Sequence, residues 1–140
     1  MTVREVETAA ERAAAFPVLA ELRSHLDEEQ FERLYAEMAD EGYRLFAAYD
    51  DGEPIAVAGV TLSTNFYLGG HAYVYDLVTT ADRRSEGHGK RLLEHVHEWA
   101  RDRGCEAVEL ESGLWREDAH RFYEEMGYEK YCYSFKHDLQ

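Results

Sequence analysis

Gly87 and Gly89, within Arg84-Ser85-Glu86-Gly87-His88-Gly89, follow a strand-like stretch and open a helix-like one. That order aims unpaired backbone N–H groups and the positive end of a helix dipole at an anion. Without side chains, the glycines let a bulky diphosphate approach the backbone closely. Arg83, Arg84, Lys90 and Arg91 put four positive charges around the same turn. The chain carries neither GxxxxGK[ST] nor the full GxGxxG pattern, which argues against a P-loop and a dinucleotide fold. A second reactive group is Asp76, the acid in an otherwise apolar and aromatic run, Tyr73-Val74-Tyr75-Asp76-Leu77-Val78. A carboxylate there is costly unless it is used or paired.

Other attractive residues carry less. His95 and His97 are two apart on a helix and point in different directions, so they are expected to be solvated rather than a metal pair. Cys105 and Cys132 lie outside any CxxC or Cys/His spacing, and Cys105 has no evident base beside it. No metal site is expected. Tyr35, Phe66, Tyr67 and Trp115 could line an acceptor pocket or simply fill a core.

The elements that must position these groups are legible from pattern. Val3 and Val6 suggest a short strand, and Thr8 with Glu11 makes a capping box before an alanine-rich helix reaching about Leu22. Pro17 either kinks that helix or marks its start. Asp27 and Gln30 repeat the capping pattern, followed by Phe31, Leu34, Tyr35 and Met38 at helical spacing. Tyr43 to Tyr49 and Pro54 to about Tyr67 are strand-like, joined by Asp50-Asp51-Gly52, with Gly69-Gly70 as a second hairpin turn before Ala72 to Thr79. This predicts an antiparallel meander. The helix opened by the glycine turn carries Leu92, Leu93, Val96, Trp99 and Ala100 on one face. Cys105 to Glu111 then reads as a buried strand, Trp115 to Met126 as an amphipathic helix, and Tyr131, Tyr133 and Phe135 alternate as a last strand. Strand, glycine turn, helix, strand is a parallel crossover.

Composition bounds the reading. At 140 residues the chain is expected to form a single domain over residues 1–140, and 45% hydrophobic with 31% charged residues places it among soluble globular proteins. No apolar run approaches the about 18 residues that span a bilayer. No secretory signal opens the chain, so a cytoplasmic location is expected. Fifteen basic against 29 acidic residues give a net charge of −14, which repels nucleic acid and anionic membranes. Acidic excess with only Lys90, Lys130 and Lys136 as lysines would also suit a protein soluble at high salt.

Three segments together, Leu77-Val78-Thr79, then Arg84 to Gly89, then Ala119-His120-Arg121-Phe122-Tyr123-Glu124-Glu125-Met126-Gly127-Tyr128, resemble the GNAT superfamily of acetyl-CoA-dependent N-acetyltransferases. Departures are Thr79 for a common valine, Ala81 for the usual proline, and Arg116 where many members have asparagine. The resemblance implies a mixed α/β fold, its central sheet mostly antiparallel with one splayed parallel strand pair, flanked by four helices. It implies that Arg84, Ser85, Glu86, Gly87, His88, Gly89 and Lys90 cradle the coenzyme A diphosphate. Leu77, Val78 and Thr79 would pair with the pantetheine arm, and Tyr123 would serve as acid toward the departing thiolate.

Acetyl transfer needs a neutral amine, whereas a primary amine of pKa about 10 is protonated at neutral pH. Asp76 is therefore the candidate base, directly or through water. The activity so implied is transfer of acetyl from acetyl-CoA to a primary amine of a small molecule or protein, by direct attack in a ternary complex. The alternative is an acyl-CoA-binding sensory module without turnover. The acidic chain would welcome a cationic acceptor, and a homodimer is left open.

Overall fold

A computed structural model describes all 140 residues. The chain divides into two compact units, residues 1–109 and 110–140. The first holds β1 (Thr2–Val6), α1 (Ala9–Leu22), α2 (Glu28–Asp40), β2 (Tyr43–Asp50), β3 (Glu53–Asn65), β4 (Gly69–Thr79), a 3-10 turn at Ala81–Arg83, and α3 (His88–Asp102). β5 (Ala107–Leu110) runs across the boundary, and α4 (Glu117–Glu125) lies in the second unit.

The five strands form one mixed sheet in sequence order, antiparallel from β1 to β4, with β5 parallel to β4. Asp51 and Gly52 both take positive φ, 52° and 81°, the backbone of a tight two-residue hairpin that keeps the natural strand twist. The second hairpin differs from expectation. Asn65 pairs with Gly69, so the turn is Phe66 to Leu68, held by the Leu68 N–H donating to Asn65 Oδ1 at 2.7 Å. Gly69 and Gly70 are the first residues of β4, not the turn.

Both expected capping boxes form: Thr8 with Glu11, and Asp27 with Gln30. Pro17 lies inside α1, which is uninterrupted around it. Alternation sorts the strands' side chains between two layers. Tyr43, Leu45, Ala47 and Tyr49 of β2 join Val6, Val18, Leu19 and Phe31 in the core beneath α1 and α2. Phe46, one residue out of phase, meets Trp99 of α3 with ring centroids 5.2 Å apart. Leu92, Leu93 and Val96 are buried on that second layer. Burying each such side chain stabilises the fold by about 1.5–3 kcal/mol. Arg12 ties the two first helices together through Nε and Nη2 to the Glu32 carboxylate, at 2.8 and 3.1 Å.

Three further expectations need correction. No strand forms at Tyr131 to Phe135; residues 128–140 carry no regular secondary structure, and Phe135 is 95% exposed. Alternation tells which side chains would share a face, but a strand also needs an edge to pair with, and the sheet includes none of these residues. β5 is shorter than expected and half-buried rather than buried. His95 and His97 are half-buried, not solvated: His95 packs on Phe46 at 5.6 Å, and burial lowers the pKa of His97. No helix is long and apolar enough to cross a membrane.

Candidate active site

β4 delivers Asp76, Leu77, Val78 and Thr79 in one strand, and the chain then turns directly into the glycine segment and α3. The candidate base, the candidate pantetheine strand and the candidate phosphate cradle are thus brought together by continuous backbone. Ser85 at φ +67° and Gly87 at φ +86° bend the turn into α3, and positive φ costs Gly87 nothing because it has no Cβ. The first helical backbone bond here is Arg91 N–H to the Gly87 carbonyl, 3.1 Å. The N–H groups of His88, Gly89 and Lys90 precede it and so lack helical acceptors. No side chain caps this end, and no acid occupies the first turn. An anion is the natural acceptor for those donors.

The charges around the turn are less available than a count suggests. Arg83 donates from Nη2 to Asp50 at 2.6 Å and from Nε to Glu86 at 3.0 Å. Hydrogen bonding to Arg83 holds the Asp50 carboxyl below its usual range. Glu86 also lies below the usual carboxyl range, first through His88, whose Nε2 is 2.8 Å away, and then through Arg83. Glu86 is thereby engaged within the loop, sharing Arg83 with Asp50. Arg84 donates Nε to the Thr79 carbonyl at 3.0 Å, and Lys90 and Arg91 are exposed on the first turn of α3. Arg83 is held by two carboxylates and Arg84 has Glu21 Oε1 3.8 Å from Nη2, so Lys90 and Arg91 are the cations left to meet phosphate.

Asp76 is buried, and both its oxygens are engaged. Arg23, the residue that caps α1, donates Nε to Oδ1 at 2.8 Å, and Tyr43 donates Oη to Oδ2 at 2.7 Å. Burial first, and then the Asp76 charge, push the Tyr43 pKa well above that of an ordinary tyrosine, so it stays a donor. An ionised carboxylate offers about four acceptor positions, which leaves Asp76 about two for an incoming amine or water. The Tyr43 ring crosses Gly59, the residue paired with Asp76 across the ladder: a Cβ on Gly59 would fall 1.6 Å from Tyr43 Oη.

Arg23, Tyr43 and Gly59 were not singled out from sequence. Gly59 alone left a signal, a glycine inside a strand pattern, which commonly marks close approach of another group.

In the second unit, Tyr123 lies on α4 with its ring against Phe122 and Tyr128, at 5.4 and 5.8 Å. Burial raises its pKa, with Arg116 pulling the other way, so at neutral pH it is a phenol able to donate. His120 places Nε2 2.8 Å from the Gly113 carbonyl, a local contact. Burial raises the Cys105 thiol, which weakens it as a nucleophile. The structure holds no group of three or more His, Cys, Asp or Glu side chains suited to a metal ion.

Within this mixed sheet a strand carrying a buried carboxylate runs into an uncapped, glycine-opened helix, an end suited to an anion. The acetyltransferase (GNAT) family model matches residues 7–128, and the chain belongs to that family. It is an acetyl-CoA-dependent acetyltransferase. It is 40% identical over 136 residues to the uncharacterised N-acetyltransferase YhdJ of Bacillus subtilis, covering 96% of both chains. It is 31% identical over 119 residues to the aminoalkylphosphonate N-acetyltransferase of Salmonella typhimurium, covering 81% of this chain and 75% of that one. A putative acetyltransferase from Agrobacterium tumefaciens shares the fold at a TM-score of 0.85 and 23% identity, over 99% of this chain and 100% of that one.

Proposed function

We propose that the chain acts as one domain over residues 1–140, in the cytoplasm, moving acetyl from acetyl-CoA to a primary amine by direct attack in a ternary complex. The observation that carries this is Asp76, a buried carboxylate with acceptor positions to spare, on the strand that leads into the phosphate-type helix end. The family match across residues 7–128 spans both compact units and supports treating them as one functional domain.

In this reading the backbone N–H groups at Gly87 to Lys90, with Lys90 and Arg91, hold the diphosphate, and Leu77 to Thr79 align the pantetheine arm. Asp76 takes the proton that frees the amine lone pair. The amine attacks the thioester carbonyl, the tetrahedral intermediate collapses with loss of the C–S bond, the second nitrogen proton passes to the departing thiolate, directly or through water, and Tyr123 donates a hydrogen bond to that sulfur. A phenol of pKa about 10 or above is a poor acid toward a thiol of about 8.5, so stabilisation by hydrogen bonding describes Tyr123 better than full transfer. The relative that acts on aminoalkylphosphonates supports a small amine as acceptor. The net charge of −14 favours a cationic one.

Calorimetric titration with acetyl-CoA tests the cradle. Gly89→Trp is expected to weaken binding at least about 100-fold by filling the approach to the helix end, with thermal unfolding little changed. Unchanged affinity in that variant would remove the cradle from the reading. Release of free thiol from acetyl-CoA, measured with spermidine and with 2-aminoethylphosphonate, tests the acceptor class. No release with either would count against a small-amine acceptor. With whichever is faster, Tyr123→Phe should lower kcat about 10- to 30-fold while the acetyl-CoA Kd stays within twofold. A loss of binding equal to the loss of rate would make Tyr123 a packing residue instead.

A further inference from the structure

β3 and β4 fall out of register at one place. Gly59 pairs with Asp76, but Val60 pairs with Val74, which leaves Tyr75 as an extra residue on β4. Strand side chains alternate between faces, so consecutive residues normally part company. Here both Tyr75 and Asp76 reach Tyr43: the rings of Tyr75 and Tyr43 lie 6.5 Å apart, and Asp76 takes the Tyr43 hydroxyl. The bulge is what puts an aromatic residue and the carboxylate side by side on one face.

A bulged residue loses its ladder partner, so its carbonyl needs another donor. Arg23 supplies it. Nη2 donates to the Tyr75 carbonyl at 2.7 Å while Nε of the same guanidinium donates to Asp76 Oδ1 at 2.8 Å. A rigid planar fork therefore spans a main-chain oxygen and the adjacent carboxylate and fixes one against the other. Its base is also fixed, because the Arg23 N–H caps α1 on the Leu19 carbonyl at 2.9 Å. The side chain is 40% exposed against 10% for Asp76, so the guanidinium stays partly hydrated while the buried carboxylate depends on its partners. Its consequence for the reaction is direction.

We propose that Arg23 is a positioning residue for acetyl transfer, which by bridging the bulged Tyr75 carbonyl and Asp76 sets the line along which Asp76 meets the amine. This rests on Asp76 being the base. An arginine is required because a lysine ammonium, a point charge, can pair with the carboxylate but cannot hold both acceptors in one plane. Tyr43 supplies the second fixed point from β2, and without Arg23 the carboxylate is left to turn about that bond.

The test uses the full chain, acetyl-CoA, and the faster of spermidine and 2-aminoethylphosphonate. Arg23→Ala should lower kcat about tenfold, with the acetyl-CoA Kd and the amine KM within twofold of wild type. Arg23→Lys, which keeps the charge and the helix end, should show a similar loss. Because the site is partly open, ethylguanidine added to Arg23→Ala should restore kcat at least threefold, whereas ethylammonium should not; a merely structural arginine would show no such rescue. Full kcat in Arg23→Lys, or no rescue by ethylguanidine, overturns the proposal. Asp76→Asn separates the two layers of the reading. If it is inactive while Arg23→Ala and Arg23→Lys are fully active, the positioning role fails and the base stands. If it retains wild-type turnover, the base itself fails and takes the positioning role with it.

Discussion

Asp76→Asn is expected to lower kcat by about 10²- to 10⁴-fold, the span that general acid–base groups contribute, while leaving acetyl-CoA affinity within twofold. The substitution keeps size and shape. The amide oxygen can still accept Arg23 Nε, now 2.8 Å from Oδ1, and the amide nitrogen can donate to the Tyr43 oxygen in place of the present bond. What the amide cannot do is take a proton from an ammonium. Arg23 loses a counter-charge but is exposed enough to be solvated. The stability cost should therefore stay near 1–2 kcal/mol, that of a weakened buried hydrogen-bond pair. Turnover with a defined amine, calorimetry with acetyl-CoA and thermal unfolding measure the three quantities separately. A kcat within threefold of wild type would identify Asp76 as an architectural residue that holds Tyr43 and Arg23 in place.

Much of this arrangement was legible beforehand, for a physical reason. Helix entry is a local event, so Thr8 with Glu11 and Asp27 with Gln30 announced their capping boxes from four consecutive residues each. The glycine turn was equally local, since Gly87 and Gly89 needed only their own backbone to open α3 without a cap. Asp76 stood out because a carboxylate in an aromatic strand must have a partner or a use. Its partners did not stand out, because they come from 53 and 33 residues away along the chain. The bulge at Tyr75 was hidden for a related reason: it is a property of the pairing between two strands, and strict alternation along β4 alone would have sent Tyr75 to the face opposite Asp76. The cationic turn holds fewer free charges than its sequence suggests because Asp50 and Glu21, which pair with Arg83 and Arg84, arrive from the first hairpin and from α1. Tyr131, Tyr133 and Phe135 show the converse failure, a sound local pattern with no strand in the sheet beside it.

Gly59→Ala should destabilise the fold by about 3 kcal/mol and lower kcat at least tenfold, although the same change at an unobstructed strand glycine would be mildly stabilising. The sign is decided by Tyr43. A Cβ at position 59 would lie 1.6 Å from its Oη, 2.3 Å from Cζ and 2.8 Å from Cε2, so the ring must move. It has little room, being 4% exposed and set edge-on against Tyr35 at 6.3 Å. Overpacking of this kind costs about 1–3 kcal/mol, and displacing the hydroxyl from Asp76 adds the penalty of a buried hydrogen bond lost, about 1–3 kcal/mol more. Tyr43→Phe removes the hydroxyl but keeps the ring, so Gly59→Ala should still be costly in that background. Tyr43→Ala removes the obstruction, and there the added cost of Gly59→Ala should fall by at least about 2 kcal/mol, a coupling that urea unfolding of the four variants measures directly. Strict additivity, or a Gly59→Ala protein as stable as wild type, would mean that Tyr43 does not lie across Gly59. The turnover loss has the same origin: a displaced Tyr43 no longer holds Asp76 Oδ2, so the carboxylate keeps Arg23 but loses the second point that fixes its plane.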